Sequence, residues 1–245
     1  MSSSTPLVSI ITATYNRSNV LALAIKSVQR QTFIDWEHCV IGDAWTDDTE
    51  TVVKDIQEPR RRFVNLPENF GEQSRPNNKG FDRARGRYIA YLNHDDIWFS
   101  DHLATCVAGL ESTGADMVYT LLNVVKRDPN RWQPNRLPGA GRDFVYDPRL
   151  QVPASCWLLR RQTIECVGPW RSWRESHIFP SQEWLFRTWK FTAHRGPKTR
   201  PKRKSVRPLL SSRSAGGEKG ISEQSVIACG RGITTGGICS ACGGI

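Results

Sequence analysis

Four short apolar runs punctuate the first hundred residues, and the stretches between them carry helical periodicity. The runs are Leu7–Ala13, Trp36–Ile41, Arg62–Leu66 and Arg87–Leu92. Each is closed by polar residues, which is the pattern of a strand buried in a sheet. After the first, Asn16-Arg-Ser-Asn19 supplies turn and cap residues, and Val20, Leu21, Leu23, Ala24, Ile25 and Val28 recur near a 3.6-residue period. They predict a helix ending around Gln31. Asp47–Ile56 and about Asn77–Ala84 read as two more helices. This alternation predicts an α/β fold: a Rossmann-like, mostly parallel sheet flanked by helices, with right-handed crossovers. Such sheets bind ligands beyond the carboxyl ends of their strands. Those ends are Thr12–Asn16, Gly42-Asp43 and Asn93-His94-Asp95-Asp96, all polar and predicted to face one crevice.

The second half is less regular. His102–Leu110 and Glu183–Trp189 read as helices, Met117–Val125 and Ser155–Leu159 as strands. Asp128–Pro148 is an Arg-, Pro- and Gly-rich loop long enough for a lid or binding loop. The 245 residues suit one large α/β domain or two small ones. Every Trp, Phe and Tyr lies at or before Phe191, and the last 54 residues have none. Rich in Gly, Ser, Arg and Lys, they lack the apolar area that offsets chain ordering. The expected division is a folded domain over 1–192, with halves 1–100 and 101–192, and a disordered, basic, Gly-rich tail over 193–245.

The net charge of +10 belongs to that tail: residues 195–219 hold nine basic groups and one acid, while the other 220 residues sum to +2. The basicity is therefore not a property of the folded body, and no nucleic-acid partner is expected. A non-catalytic polyanion-binding protein acting through 195–219 stays open as an alternative. No apolar run reaches bilayer-spanning length, and Met1–Pro6 has neither basic nor apolar signal character. The expectation is a cytoplasmic protein, or one held at the inner face of a membrane. Cys39, Cys106, Cys156 and Cys166 sit in apolar, core-like contexts. Cys239-Ser-Ala-Cys242 has no second pair and points weakly to zinc or redox chemistry.

Asn93-His94-Asp95-Asp96 is the strongest chemical cluster. Two adjacent carboxylates at a strand end repel unless a cation or solvent compensates. A divalent cation such as Mg²⁺ or Mn²⁺ would do so and keep positions for substrate phosphates. A solvated loop that merely ends the strand fits equally well. Asp43 can accept hydrogen bonds from a base or ribose, or act as a turn acid. There is no G-x-G-x-x-G after the first strand and no P-loop, which argues against a dinucleotide dehydrogenase and a P-loop NTPase.

Val8-Ser-Ile-Ile-Thr-Ala-Thr-Tyr-Asn-Arg17, Ile41-Gly-Asp-Ala-Trp-Thr-Asp-Asp-Thr49, Asn69-Phe-Gly71 with Asn78-Lys-Gly80, and Ala84–Asp96 together resemble the family 2 glycosyltransferases of GT-A fold. Weaker similarity continues to about 190 through Val167–Arg171 and Ser181–Arg187. The resemblance implies a nucleoside-diphosphate sugar donor (UDP-, GDP- or dTDP-linked), a glycan, lipid-linked or protein acceptor, and Mn²⁺ or Mg²⁺. It assigns Thr12, Tyr15, Asn16, Asp43, Arg75, Asn78, Asn93 and His94 to the donor, Asp95 to the metal, and Glu183 to the catalytic base, with Arg187 fixing Glu183 or contacting diphosphate. Asn93 stands where the family has a leading Asp, and Trp45 where it prefers a small residue. Trp170, Trp173 and Trp184 are candidate sugar-stacking surfaces, at least one of them expected in the core instead. The implied activity is inverting, metal-dependent transfer of a sugar to a hydroxyl. An inactive homologue is the alternative, and a sugar-nucleotide pyrophosphorylase is disfavoured for want of a Gly-rich phosphate loop.

Overall fold

The computed structural model describes residues 5–125, 152–193 and 226–234. Strand β1 (Val8–Thr14) is followed by α1 (Ser18–Gln29), β2 (Trp36–Gly42), α2 (Thr49–Asp55), β3 (Arg61–Asn65), α3 (Ser74–Arg83) and β4 (Tyr88–Tyr91). Then come β5 (Asp96–Trp98), α4 (His102–Thr113), β6 (Met117–Val125), a 3₁₀ turn, β7 (Trp157–Arg160), α5 (Arg161–Val167), α6 (Trp173–Ser176), α7 (Pro180–Ala193) and β8 (Val226–Thr234). They form one mixed sheet in the order β3-β2-β1-β4-β7-β6-β8-β5. The β3-β2-β1-β4 half is parallel throughout, as the alternating pattern requires. β7 and β6 run antiparallel to their neighbours.

β1 lies between β2 and β4, so its residues are buried on both faces and read as a continuous apolar run. Val8 aligns with Trp36 on one side and Tyr88 on the other, and the ladder with β2 runs on to Thr14 opposite Gly42. This register brings the tips of β2, β1 and β4 to one edge. α1 buries Val20, Leu21, Ala24, Ile25 and Val28, the predicted stripe. α3 packs onto β1 through Gly80, where a Cβ would come within 2.4 Å of Ile11 Cγ2, so only glycine lets the helix so near.

Glu37 is buried in β2 and holds the opposite edge of the sheet together. It accepts from Ser9 Oγ at 2.7 Å, from Arg85 N at 2.6 Å and from Arg85 Nε at 3.0 Å, and it pairs with Arg62. Under the other half of the sheet, Tyr91, Trp157, Trp170 and Trp184 interlock. Tyr91 meets Trp170 edge-on at 5.0 Å, and Trp157 and Trp170 stack on Trp184 at 5.9 and 6.1 Å. Such pairs add to the area they bury.

Several features depart from the sequence reading. β5, α5 and α6 were not expected; each is seven residues or fewer, too short for periodicity to register. Cys166 is exposed on α5, while Cys39, Cys106 and Cys156 are buried as expected. In the tail expected to carry no regular structure, β8 pairs with β6 and β5. The 128–148 loop, the 195–219 basic segment and the Cys239/Cys242 pair lie outside the described residues. Among the described residues, no helix is long and apolar enough to cross a membrane.

Candidate functional site

The tips of β1, β2 and β4 are joined to one another by hydrogen bonds, one between main chains and one from a side chain. Asp43 N donates to Thr14 O at 2.9 Å, and His94 Nδ1 donates to Ala13 O at 3.2 Å. Asp43 and the His94-Asp95 pair thus flank β1 on either side, about 10 Å apart by two strand spacings. Asn16, at φ 45°, reaches across from β1 to the loop after β2: its Oδ1 accepts from Thr46 N at 2.7 Å, and its Nδ2 donates to Thr46 Oγ1 at 2.9 Å. A left-handed Asn with a locally satisfied side chain is a familiar turn device.

Asp43 is buried, and its carboxylate organises the loop ahead of α3. It accepts from Phe70 N at 2.9 and 3.0 Å, from Gly71 N at 2.8 Å and from Asn69 Nδ2 at 3.2 Å. Gly71 turns its amide inward at φ 78°, a left-handed value that favours glycine. Trp45, the departure noted in sequence, neither faces solvent nor hangs free. Its ring lies over Gly42 and packs against Phe63 at 6.5 Å. Asn65 Oδ1 accepts from its backbone N at 3.0 Å.

Four acidic-motif residues take four different environments. Asp96 is buried, receiving Asn93 Nδ2 at 2.9 Å and the Ser155 hydroxyl. Burial pushes its carboxyl up to about 7; the hydroxyl of Ser155 and the Asn93 amide oppose this, and the neighbouring Asp95 charge adds to it. His94 is depressed below its ordinary value, mainly by burial, with Asp95 and the Ala13 carbonyl pulling the other way. The imidazole is therefore neutral at pH 7 with its proton on Nδ1, which leaves Nε2 as an acceptor. Asp95 has a 38% exposed side chain, its Oδ2 lying 3.7 Å from Arg17 Nη1.

A family-implied divalent cation can be tested against this set. Among the described residues no group of three or more His, Cys, Asp or Glu converges. Asp95 is the accessible hard-oxygen ligand, and it sits beside a cation instead of a second free carboxylate. One carboxylate suits Mg²⁺ or Mn²⁺ that takes its remaining positions from diphosphate oxygens and water. The residues fit a metal that binds with a phosphorylated ligand, and Asn93, its amide nitrogen committed to Asp96, adds no charge.

On the facing side, α7 carries Glu183, which is buried. Arg187 Nε donates to Glu183 Oε1 at 2.7 Å, and Arg171 approaches the same oxygen at 3.6 Å. Glu183 Oε2 is buried without a hydrogen-bond partner among the described residues. Arg187 also donates to Val167 O and Pro169 O, both at 2.6 Å, so one guanidinium joins the helix to the 167–169 turn. Between the two sides runs a groove of about 640 Å³ lined by Gly71, Gln73, Trp173, Phe179 and Gln182 among others. One wall belongs to the loop bound by Asp43. The other is the start of the Glu183 helix, where Glu183 N donates to Phe179 O at 2.9 Å.

The remaining predicted residues divide. Tyr15 is exposed beside the β1 tip. Arg75 is exposed, 3.7 Å from Glu68 and over the Phe70 ring, beside the Asp43-bound loop. Thr12 departs from its expected role as a donor contact: its side chain is fully buried between strands, 3.0 Å from His38 Nε2, because it points into the sheet. Asn78 departs as well. Its Nδ2 donates to Trp170 O at 2.9 Å and its Oδ1 accepts from Trp170 N at 2.8 Å, so the side chain is spent on joining α3 to the 168–172 segment. Trp170 and Trp184 are core residues, whereas Trp173 is exposed at the groove. Sequence reasoning gave no role to Arg17, Ser155 or Arg174. Arg17 ended a quoted motif and could have been weighed as a counter-charge; Ser155 and Arg174 carry no local signal.

Comparisons with known proteins converge on one family. The model described as Glycosyl transferase family 2 matches residues 9–168. The GalNAc(5)-diNAcBac-PP-undecaprenol beta-1,3-glucosyltransferase of Campylobacter jejuni is 39% identical over 103 residues, covering 41% of this chain and 33% of that protein. The UDP-Glc:alpha-D-GlcNAc-diphosphoundecaprenol beta-1,3-glucosyltransferase of Escherichia coli is 28% identical over 122 residues, covering 50% of this chain and 48% of that one. The matches thus span about half or less of these relatives. Among solved structures, Staphylococcus aureus TarS 1-349 superimposes with a TM-score of 0.58 at 18% identity over 74% of this chain and 55% of that chain. The mannosyltransferase PcManGT of Pyrobaculum calidifontis, in complex with GDP-Man and Mn²⁺, gives 0.52 at 20% identity over 69% and 48%. The sheet and its flanking helices are those of the GT-A fold.

Proposed function

Because the chain belongs to glycosyl transferase family 2, we propose that it moves a sugar from a nucleoside-diphosphate donor to an acceptor hydroxyl with inversion at the anomeric carbon. The observation that carries this reading is the groove walled on one side by the Asp43-bound loop and on the other by the start of the helix bearing Glu183. In that frame the nucleotide lies over the Asp43 edge, and the diphosphate lies toward Asp95, Arg17 and Arg75. His94 Nε2 offers an acceptor near ribose or diphosphate. Asp95 would hold Mn²⁺ or Mg²⁺, which when bound neutralises charge on the departing diphosphate. The PcManGT complex with GDP-Man and Mn²⁺ and the TarS complex with UDP-GlcNAc support donor and metal of these classes.

Glu183 takes the proton of the acceptor hydroxyl on Oε2, the oxygen without an existing partner. The hydroxyl oxygen bonds to the anomeric carbon from the face opposite the diphosphate. The anomeric carbon–oxygen bond breaks, and its electron pair leaves with the nucleoside diphosphate. Proton transfer to a positioned carboxylate contributes about 10²–10⁴ in rate. Arg187 holds Oε1 so that the carboxylate keeps one orientation. Arg171 provides a nearby positive charge.

Two relatives act, by name, on undecaprenyl-diphosphate-linked saccharides, and they support a lipid-linked acceptor for this chain. The deciding experiment is a donor-hydrolysis screen with Mn²⁺ across UDP-, GDP- and dTDP-sugars. Turnover that is lost in Asp95→Ala supports the reading. Failure of every donor to bind or turn over favours a folded, inactive homologue, for which the uncharged Asn93 is the motivating residue.

A further inference from the structure

Ser155 lies outside every motif read from the sequence, yet it is fully buried against the acidic cluster. It belongs to the 3₁₀ turn Ala154–Cys156. β7 runs antiparallel to β4 with Ala90 opposite Leu158, which brings the turn ahead of β7 against the tip of β4. From there Ser155 bonds to the 93–98 segment in several places. Its hydroxyl oxygen accepts from Asn93 N at 2.9 Å, and the same hydroxyl donates to Asp96 Oδ2. Its carbonyl accepts from Trp98 Nε1 at 2.7 Å.

These bonds bracket Asp95. Asn93 stands before it and Asp96 after it, and Asn93 Nδ2 closes the ring by donating to Asp96 Oδ2 at 2.9 Å. The far end of β5 is held as well, because Trp98 N donates to Ser27 Oγ on α1 at 3.2 Å. Buried main-chain N–H groups and carboxylates need partners, so the hydroxyl stabilises the fold in any case. The arrangement has a second effect. Asp96 is drawn inward by the ring, whereas the Asp95 side chain, 38% exposed, keeps its carboxylate accessible at the strand tips.

We propose that Ser155 is a positioning residue for the divalent cation: it fixes the course of the 93–96 segment and so sets where the Asp95 carboxylate stands. The proposal rests on the glycosyltransferase reading above, with Asp95 as the metal ligand, and adds a residue from the second half of the chain that no motif marks. Groups that orient a metal ligand without touching the metal typically contribute about 10–100-fold in affinity. A ligand set with one carboxylate is especially sensitive to its placement, since no second charge compensates for a shift.

The test uses the full chain with Mn²⁺ and the nucleoside diphosphate (UDP, GDP or dTDP) that the donor screen selects. Water-proton relaxation, which separates Mn²⁺ on the protein from Mn²⁺ on free nucleotide, reads metal affinity. Calorimetry without metal reads nucleotide affinity. Ser155→Ala should weaken Mn²⁺ binding about 10–100-fold and raise the Mn²⁺ needed for half-maximal donor hydrolysis to match, with metal-free nucleotide binding unchanged. Thr163→Ala removes another buried hydroxyl, one bonded to Asp116 O, and should lower the urea midpoint with Mn²⁺ binding intact. Circular dichroism checks each fold; if Ser155→Ala does not fold, Ser155→Cys, similar in size and a weaker donor, carries the comparison. Unchanged Mn²⁺ affinity in the folded Ser155 variant, equal weakening in Thr163→Ala, or a matching loss of metal-free nucleotide binding would overturn the proposal. Mn²⁺ binding lost in Asp95→Ala but kept in Ser155→Ala would end this role and leave the glycosyltransferase reading standing. Absence of any donor-nucleotide binding by the parent protein would remove the reading itself, and the proposal with it.

Discussion

Arg187 Nε holds Glu183 Oε1 at 2.7 Å, while Glu183 Oε2 has no hydrogen-bond partner among the described residues. One carboxylate oxygen is thereby fixed, and in the proposed mechanism the other takes the acceptor's proton. Glu183→Gln should lower turnover about 10²–10⁴-fold, with donor affinity changed little, as read by steady-state kinetics and donor titration. Arg187→Met should also lower turnover and Arg187→Lys less so, since a single ammonium cannot span Glu183, Val167 O and Pro169 O. Wild-type turnover in Glu183→Gln would remove this residue from the base role.

The Asp43 carboxylate is the acceptor for three donors of the 69–71 loop. Asp43→Asn keeps one acceptor oxygen and turns an NH₂ toward backbone N–H groups. The expected cost is about 1–3 kcal/mol of stability, with faster amide exchange at Phe70 and Gly71. Hydrogen exchange read by NMR tests this, and unchanged protection at both amides would contradict it.

Two buried histidines set an acid limit. Burial pushes His38 down to about 3, with the Arg61 charge adding to the effect, and burial alone does the same to His102. Both folded values lie below the ordinary 6.5. The unfolded chain therefore takes up protons first as pH falls. The stability these two groups contribute is full above 6.5 and declines as pH drops toward 3, while the raised carboxyl of Asp96, at about 7 against an ordinary 3.8, works the other way and offsets part of the decline. Urea midpoints should fall between pH 7.5 and about 5. His102→Phe, which keeps the stacking on Trp98, should flatten that decline; a pH-independent midpoint in the parent protein would refute the account.

Gly80→Ala tests the close approach of α3 to β1. A helix interior ordinarily gains about 1 kcal/mol from this change. Here the added methyl meets Ile11 Cγ2 at 2.4 Å in a filled core. A net loss of about 1–2 kcal/mol is expected, measured by urea unfolding. A more stable variant would show that the helix can step back freely.

The parallel half of the sheet was legible because each of its strands is an apolar run bounded by polar residues, and α1 carries an unbroken stripe. β5 was hidden inside the acidic motif, where Asp96 reads as a ligand although it is a buried strand residue. In the site, the roles proposed for Asp43, Asp95 and Glu183 come from their motif positions. The side-chain partners of Thr12 and Asn78 were not legible, because a motif records which residue stands at a position and not which way its side chain turns. The pairings of Ser155 with Asp96 and of Arg174 with Phe70 join residues 59 and 104 positions apart, beyond the reach of any local pattern.

The reciprocal bonds between Asn78 and the Trp170 backbone have a consequence for building hybrids of this chain. A crossover placed near residue 100 looks natural, yet it would separate the amide from the main-chain turn it grips. Exchanged C-terminal portions should be tolerated only when their turn can still seat that amide, so libraries screened for altered acceptor choice ought to carry the 168–172 turn and α3 as one inherited block.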